Sequence, residues 1–138
     1  MRFYIASSFN NRSNVKELSQ KLISYNFEHS YDWTINERAN SIEDLSAIGT
    51  KEKEAIISSD FIVILLPAGK GSHVELGIAL GLGKRIYLYS LNQEIYHFDK
   101  TTTFYHVAGV DTFVGNFENF TDYLIQKETF SFEGLNKI

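Results

Sequence analysis

The chain has 138 residues, enough for one domain with its own core but not for two. Its apolar content of 43% and aromatic content of 14% are those of a globular chain, and a net charge of −4 with no basic block excludes duplex nucleic acid as a partner. Cysteine is absent, which excludes disulfide staples and thiolate metal sites and fits a reducing, cytoplasmic setting.

"RFYIASS" (Arg2–Ser8) is β-branched and aromatic and ends in small polar residues, so it reads as a first strand running into a loop. The opening "MRFYIASSFNNR" has neither the apolar stretch nor the cleavage pattern of a signal peptide. Val15, Leu18, Leu22 and Tyr25 recur at 3-4-3 spacing and predict one face of a helix that starts near Ser13. "FEHSYDWT" (Phe27–Thr34) alternates apolar and polar and predicts a second strand, followed by the polar loop "INERANS".

Ser41-x-x-Asp44 marks the start of a second helix that runs to about Ser58. "DFIVILL" (Asp60–Leu66) is the unbroken apolar run expected of a parallel strand covered on both faces. It holds the longest unbroken apolar stretch, Phe61 to Leu66, far below the roughly 20 residues a membrane span needs. The "PAGKG" loop follows, then a helix from Ser72 to about Leu82 stopped by Gly83, and a strand "RIYLYS" (Arg85–Ser90). The pattern then weakens to a short strand near Thr112–Val114 and a last helix over "NFENFTDYLIQK", with Phe117, Phe120 and Leu124 inward. The final dozen residues read as irregular.

Strands alternating with helices of this length define βαβ units: a single α/β domain over residues 1–138, with a doubly wound, open, mostly parallel sheet of flavodoxin or Rossmann type. Ligands in such folds lie beyond the carboxyl ends of the strands. That rule selects Ser7–Arg12, Asp32–Asn36 and Pro67–Glu75.

Gly69-Lys70-Gly71-Ser72 has the glycines and the following helix of a phosphate-cradling loop, but neither G-x-x-x-x-G-K-[ST] nor G-x-G-x-x-G spacing. Anion binding and a plain tight turn are both open there. Ser72-x-x-Glu75 has the form of a capping box, in which Glu75 serves the helix start; a carboxylate at this loop is equally placed for chemistry. Helix-terminus placement favours its ionised form, which suits a nucleophile. Glu52 falls in the middle of the stripe Leu45, Ile48, Ala55, Ile56. It either reaches solvent at the sheet rim or is a desolvated carboxyl with a raised pKa, suited to proton transfer. His73 is a solvent-facing or pocket-wall residue, with no partner at metal-ligand spacing. Arg12 is a phosphate contact or a surface charge. Asp32 and Trp33 line a base pocket, or Trp33 fills the core at a strand end. No metal and no cofactor is expected.

With those residues located, the chain resembles the nucleoside 2-deoxyribosyltransferase family, which includes related nucleoside 5′-monophosphate N-glycosidases. The likeness runs from about Arg2 to Ser90: "RFYIASSF", the helix after it, and "SSDFIVILLPAGKGSHVELGIALGLGKRIYLY". Its most specific part is the pattern met by Asp60, Glu75, Leu76, Gly77, Ala79, Gly83 and Lys84. The resemblance implies that Glu75 is the nucleophile that attacks the anomeric carbon, and that Glu52, where the family usually has Asp, is the assisting acid. It implies a pocket including Ser7 and Phe9 from the first loop and Gly69 from the glycine loop, with Gly71, Ser72 and Arg12 touching the 5′ end of the ligand. Protonation of the departing base falls to Glu52 or to a chain through His73. The implied partner is a small nucleoside or nucleotide, and the aromatic "FYHVAGVDTFVGNF" together with the family likeness implies a homodimer or higher oligomer. The competing function is a non-catalytic, TIR-like nucleotide-binding or signalling module on the same fold.

Overall fold

Every residue of the Ile/Val-rich run Phe61–Leu65 is buried, and this run forms β3, the central strand. The computed structural model of the chain describes residues 1–136, and the side chains of residues 1–130. Around β3 stand β1 (Arg2–Ser7), β2 (Glu28–His29), β4 (Arg85–Ser90) and β5 (Val110–Val114). The sheet order is β2-β1-β3-β4-β5 and every pairing is parallel, the flavodoxin-type arrangement. The helices are α1 (Arg12–Ser24), α2 (Ile42–Ser58), α3 (Lys70–Gly81) and α4 (Phe117–Asn136); α2 packs with α3 and α1 with α4, which covers both faces. That double cover is why β1 and β3 are apolar almost without alternation.

The departures from expectation have local causes. The second strand is two residues long and not eight, because the Asp32 carboxylate accepts from the Thr34 amide (3.0 Å) and turns the chain into a 3-10 turn at Trp33–Ile35. Tyr25 lies past the end of α1 and is exposed, with the Lys21 ammonium 5.7 Å above its ring. The Ser41 cap of α2 is as predicted, its hydroxyl accepting from the Asp44 amide at 3.0 Å. Leu45 is nevertheless 58% exposed: Ala55 and Ile56 meet the sheet, whereas the first turns of α2 rise beyond its edge. The connection from β4 to β5 holds no α-helix, only 3-10 turns at Gln93–Tyr96 and Thr103–Tyr105.

The final dozen residues, expected to be irregular, are helical through Asn136; residues 137 and 138 lie outside the described residues. Glu128 anchors that extension. Its fully buried carboxylate takes a fork from Arg85, Nη2 at 2.7 Å and Nε at 3.0 Å, and a further hydrogen bond from the Tyr87 hydroxyl. The cluster stands at the amino end of β4, away from the ligand edge, so its role is to dock α4. Glu128→Gln is expected to lower stability by about 2 kcal/mol in urea unfolding, the scale of hydrogen bonds to a charged group.

Candidate active site

The chain reverses direction across the sheet between β1 and β3, and the loops following those two strands diverge there. A cavity of about 520 Å³ opens at this point. Its walls come from the loop after β1 (Ser7, Ser8, Phe9), from Trp33 and the Asn36–Ala39 stretch, from α2 (Ile48, Glu52), and from the start of α3 (Gly69, Gly71, Ser72, Glu75).

The start of α3 differs from the sequence expectation. Gly69 is the N-cap, so the helix begins at Lys70 and Ser72 is its third residue; the Ser72 hydroxyl accepts from the Gly69 amide at 3.2 Å. The first-turn amides, those of Lys70 and Gly71 among them, have no intrahelical acceptor. Glu75 is therefore no cap. It lies in the second turn on the stripe Ser72, Glu75, Leu76, Ala79, which faces the sheet, and it is 8% exposed.

Buried there, the Glu75 carboxylate meets the hydroxyl of Tyr4, a fully buried residue of β1, and the same hydroxyl lies 3.1 Å from Oε2 of Glu52. Desolvation pushes the Glu75 carboxyl up to about 8; the Tyr4 hydrogen bond works in the opposite direction, and the neighbouring Glu52 carboxylate raises it further. Glu75 stands beyond the first turn, where the helix field fades, and burial is the larger influence on its carboxyl. Burial first, and then the two carboxylates, drive the Tyr4 phenol well above its ordinary value, so it stays a donor. A phenol has one proton and serves one carboxylate as donor; toward the second its oxygen accepts. The Tyr4 hydroxyl thus joins a carboxyl whose protonated form burial favours to a second carboxyl group.

The other expected residues divide. Ser7 lines the cavity, its hydroxyl donating to the Leu65 carbonyl (2.7 Å) and accepting from the Asn11 amide (2.9 Å). Phe9 lines it and is half exposed, its ring 6.4 Å from that of Trp33. Trp33 does both things weighed for it: it is buried, pinned by an indole hydrogen bond to the Ile5 carbonyl at 2.7 Å, and it forms the cavity wall. Gly69, Gly71 and Ser72 form the rim. Arg12 is not on the wall; its guanidinium lies 4.3 Å above the Phe9 ring and backs that side chain. Asp32 is not there either, because its carboxylate is committed to Thr34. His73 turns to the far side of the glycine loop and borders a second cavity, of about 790 Å³, under the segment that joins β4 to β5.

Tyr4 and Arg38 were not singled out in the sequence, and Asn36 only as the end of the Asp32–Asn36 segment. The signal for Tyr4 was a hydroxyl inside an otherwise apolar strand, which must find a partner when buried. Asn36, its amide donating to the Tyr31 hydroxyl at 2.7 Å, and Arg38 sit in a loop with no periodicity, and only the fold brings them to the cavity. Among the described residues no group of His, Cys, Asp or Glu is arranged to hold a metal ion, and no helix is long and apolar enough to cross a membrane.

A doubly wound parallel domain with a paired-carboxylate cavity at its switch point is the class that fold and site define. The nucleoside 2-deoxyribosyltransferase pattern matches residues 3–128, and the chain belongs to that family. No curated protein matches it by sequence. Among solved structures it is similar to the CMP N-glycosidase BcmB of Clostridium botulinum, with a TM-score of 0.66 and 19% identity over 92% of this chain and 99% of that one. It is also similar to a 2-deoxyribosyltransferase of Bacillus psychrosaccharolyticus, with a TM-score of 0.61 and 20% identity over 89% and 92% of the two chains. A conserved protein of Enterococcus faecalis V583 has a TM-score of 0.58 and 14% identity, over 92% and 98%. At these identities the likeness carries the fold.

Proposed function

We propose that this protein cleaves or transfers the N-glycosidic bond of nucleosides or nucleoside 5′-monophosphates through a covalent glycosyl intermediate on Glu75. The observation that carries the reading is the single Tyr4 hydroxyl shared by Glu75 and Glu52 at a cavity of nucleoside size. Family membership supports the substrate class.

The chemistry follows from where the protons lie. Burial leaves Glu75 as the carboxyl that holds the proton near neutrality. Passing that proton through the Tyr4 hydroxyl to Glu52 leaves Glu75 as the anion and Glu52 as the acid, with no net change in charge. Glu75 then attacks C1′ as the C1′–N bond breaks. The leaving base takes the bonding electron pair, and Glu52 delivers the proton to it, directly or through water. Water or a second base then attacks C1′ while the C1′–O bond to Glu75 breaks; Glu52, now a carboxylate, takes the proton the nucleophile loses, and the Glu75 carboxylate is regenerated, the two-step scheme of retaining glycosidases. Trp33 and Phe9 give the base an apolar surface to pack on. Arg38 is the cation on the wall, and Gly69, Gly71 and Ser72 offer room for the sugar's 5′ substituent. His73, on the other side of the loop, has no part in the proton path.

The test is a panel of ribo- and deoxyribonucleosides and their 5′-monophosphates, with and without a second free base, read by chromatography. Free base or an exchanged nucleoside is the expected product. Binding of a panel member with every glycosidic bond intact would favour the non-catalytic nucleotide-binding module instead.

A further inference from the structure

The glycine loop forming the rim of the active-site cavity is held from behind by a side chain that does not enter the cavity. The Gly69 carbonyl, at the N-cap of α3, receives two hydrogen bonds from His73: the backbone amide at 3.2 Å, and ring Nδ1 at 2.7 Å. The other ring nitrogen, Nε2, lies 2.7 Å from the Tyr105 hydroxyl, and the two rings stack at 5.7 Å with an angle of 18°. Tyr105 is only 6% exposed and belongs to the 3-10 turn in the helix-free β4–β5 connection.

The donors and acceptors fix the proton. A carbonyl only accepts, so Nδ1 carries the hydrogen toward Gly69; in the neutral ring Nε2 is then the lone-pair nitrogen, and the Tyr105 hydroxyl donates to it. Nothing in the cavity itself requires this tautomer. It is set by one bond to the loop and one to the connection.

From this arrangement we infer that His73 and Tyr105 form a positioning relay, in which the β4–β5 connection holds the Gly69 carbonyl and through it the rim that receives the substrate. Gly69 and Gly71 have open space where a Cβ would stand, so neither is wedged by neighbouring atoms. Extended backbone at Gly69 (φ −98°, ψ −173°) leads straight into the helix, and the relay anchors it at that point. The relay touches neither the anomeric carbon nor the two carboxylates, so its loss weakens substrate capture and leaves the chemical step intact. This rests on the glycosidase reading only for its kinetic arm; tautomer and loop protection are measured without substrate.

The experiment uses the full chain in four forms: wild type, His73→Ala, His73→Asn and Tyr105→Phe. In 15N spectra that resolve ring tautomers, His73 is expected to carry its proton on Nδ1, with Nε2 the unprotonated nitrogen. His73→Ala is expected to speed exchange of the two amides hydrogen-bonded at this N-cap, those of Gly69 and of position 73, by about 10-fold relative to the rest of α3, and to raise KM about 10-fold with kcat within about 2-fold. The asparagine variant keeps a donor for Gly69 and is expected to recover most of the protection. Tyr105→Phe keeps the stacked ring and loses the outer bond, and should fall between wild type and His73→Ala. A proton on Nε2, unchanged exchange in His73→Ala, or a loss confined to kcat overturns the relay. If no substrate turns over, the N-glycosidase reading fails while the tautomer and exchange results still decide the relay.

Discussion

Glu75→Gln is expected to melt well above the wild-type protein at neutral pH while losing on the order of 10⁴-fold in base release, as loss of a nucleophile does elsewhere. Both halves come from one buried carboxyl. In the fold its pKa rises from an ordinary 4.5 to about 8, with burial as the largest cause. A raised carboxyl favours the folded state fully below pH 4.5, and that contribution is lost as the pH climbs through about 8, because the unfolded chain ionises first. At pH 7 the gap amounts to about 3 kcal/mol at 1.36 kcal/mol per pH unit. Glutamine has nearly the same shape, accepts from Tyr4 through its carbonyl and has no proton to lose, so the variant escapes that loss. The difference in melting temperature should be near zero at pH 4, substantial at pH 7 and largest above pH 8. Thermal unfolding of the two proteins at those three values checks it. An equal gap at every pH, or a variant less stable throughout, would show that Glu75 is not a desolvated carboxyl. The coupling of higher stability to lost activity is the trade-off expected where a fold holds a group against its solvation.

The parts of this molecule written in repeating patterns were legible in the sequence. The unbroken run at Phe61–Leu65 gave the central parallel strand, and Ser41-x-x-Asp44 gave the start of α2. Residues from all three loops selected at the carboxyl ends of the strands border the cavity. What failed was reading polar residues one at a time. Ser72 looked like a cap for Glu75, but Gly69 caps α3, because the extended chain after Pro67 reaches helical geometry sooner than the polar pattern implies. Asp32 looked like a base contact, but a short acidic side chain two residues before a free amide is spent locally on that amide. The tail beyond Lys127 has no clean apolar stripe to announce a helix; the docking residue is Glu128, whose partner Arg85 is 43 positions away. Tyr4 was hidden for the same reason. A hydroxyl between two helices' carboxylates is a tertiary fact, and a β1 buried on both faces shows no periodicity that would single it out.

Glu52 reaches the Tyr4 hydroxyl from α2, and Glu75 reaches it from α3. Set on α2, Glu52 brings Oε2 to 3.1 Å from the Tyr4 hydroxyl, and Ile48 and Glu52 line the cavity together. The two acids are consequently joined through a phenol rather than left as independent groups on opposite walls.

Tyr4→Phe is the cleanest way to separate that cluster's electrostatics from its packing. The ring is fully buried and stays in place, so the core is preserved and only the bridging hydroxyl is lost. Without it Glu75 loses the one contact that lowers its pKa, whereas desolvation and the Glu52 charge continue to raise it. The carboxyl therefore titrates above its wild-type value of about 8. The wild type reaches the Glu75 anion by passing its proton through Tyr4 to Glu52, whereas the variant must ionise Glu75 directly; the acid limb of the kcat/KM profile is therefore expected to move to higher pH, and the rate at pH 7 to fall about 100-fold, the lower range for a positioned proton-transfer group. Raising the pH should recover part of that loss, because ionising Glu75 directly replaces the missing donor. It should not recover all of it, because the path that carries the proton to Glu52 runs through the same oxygen. A profile that drops uniformly with its acid limb unmoved would mean that Tyr4 shapes the cavity but does not tune the nucleophile, and the shared-proton scheme would have to be abandoned.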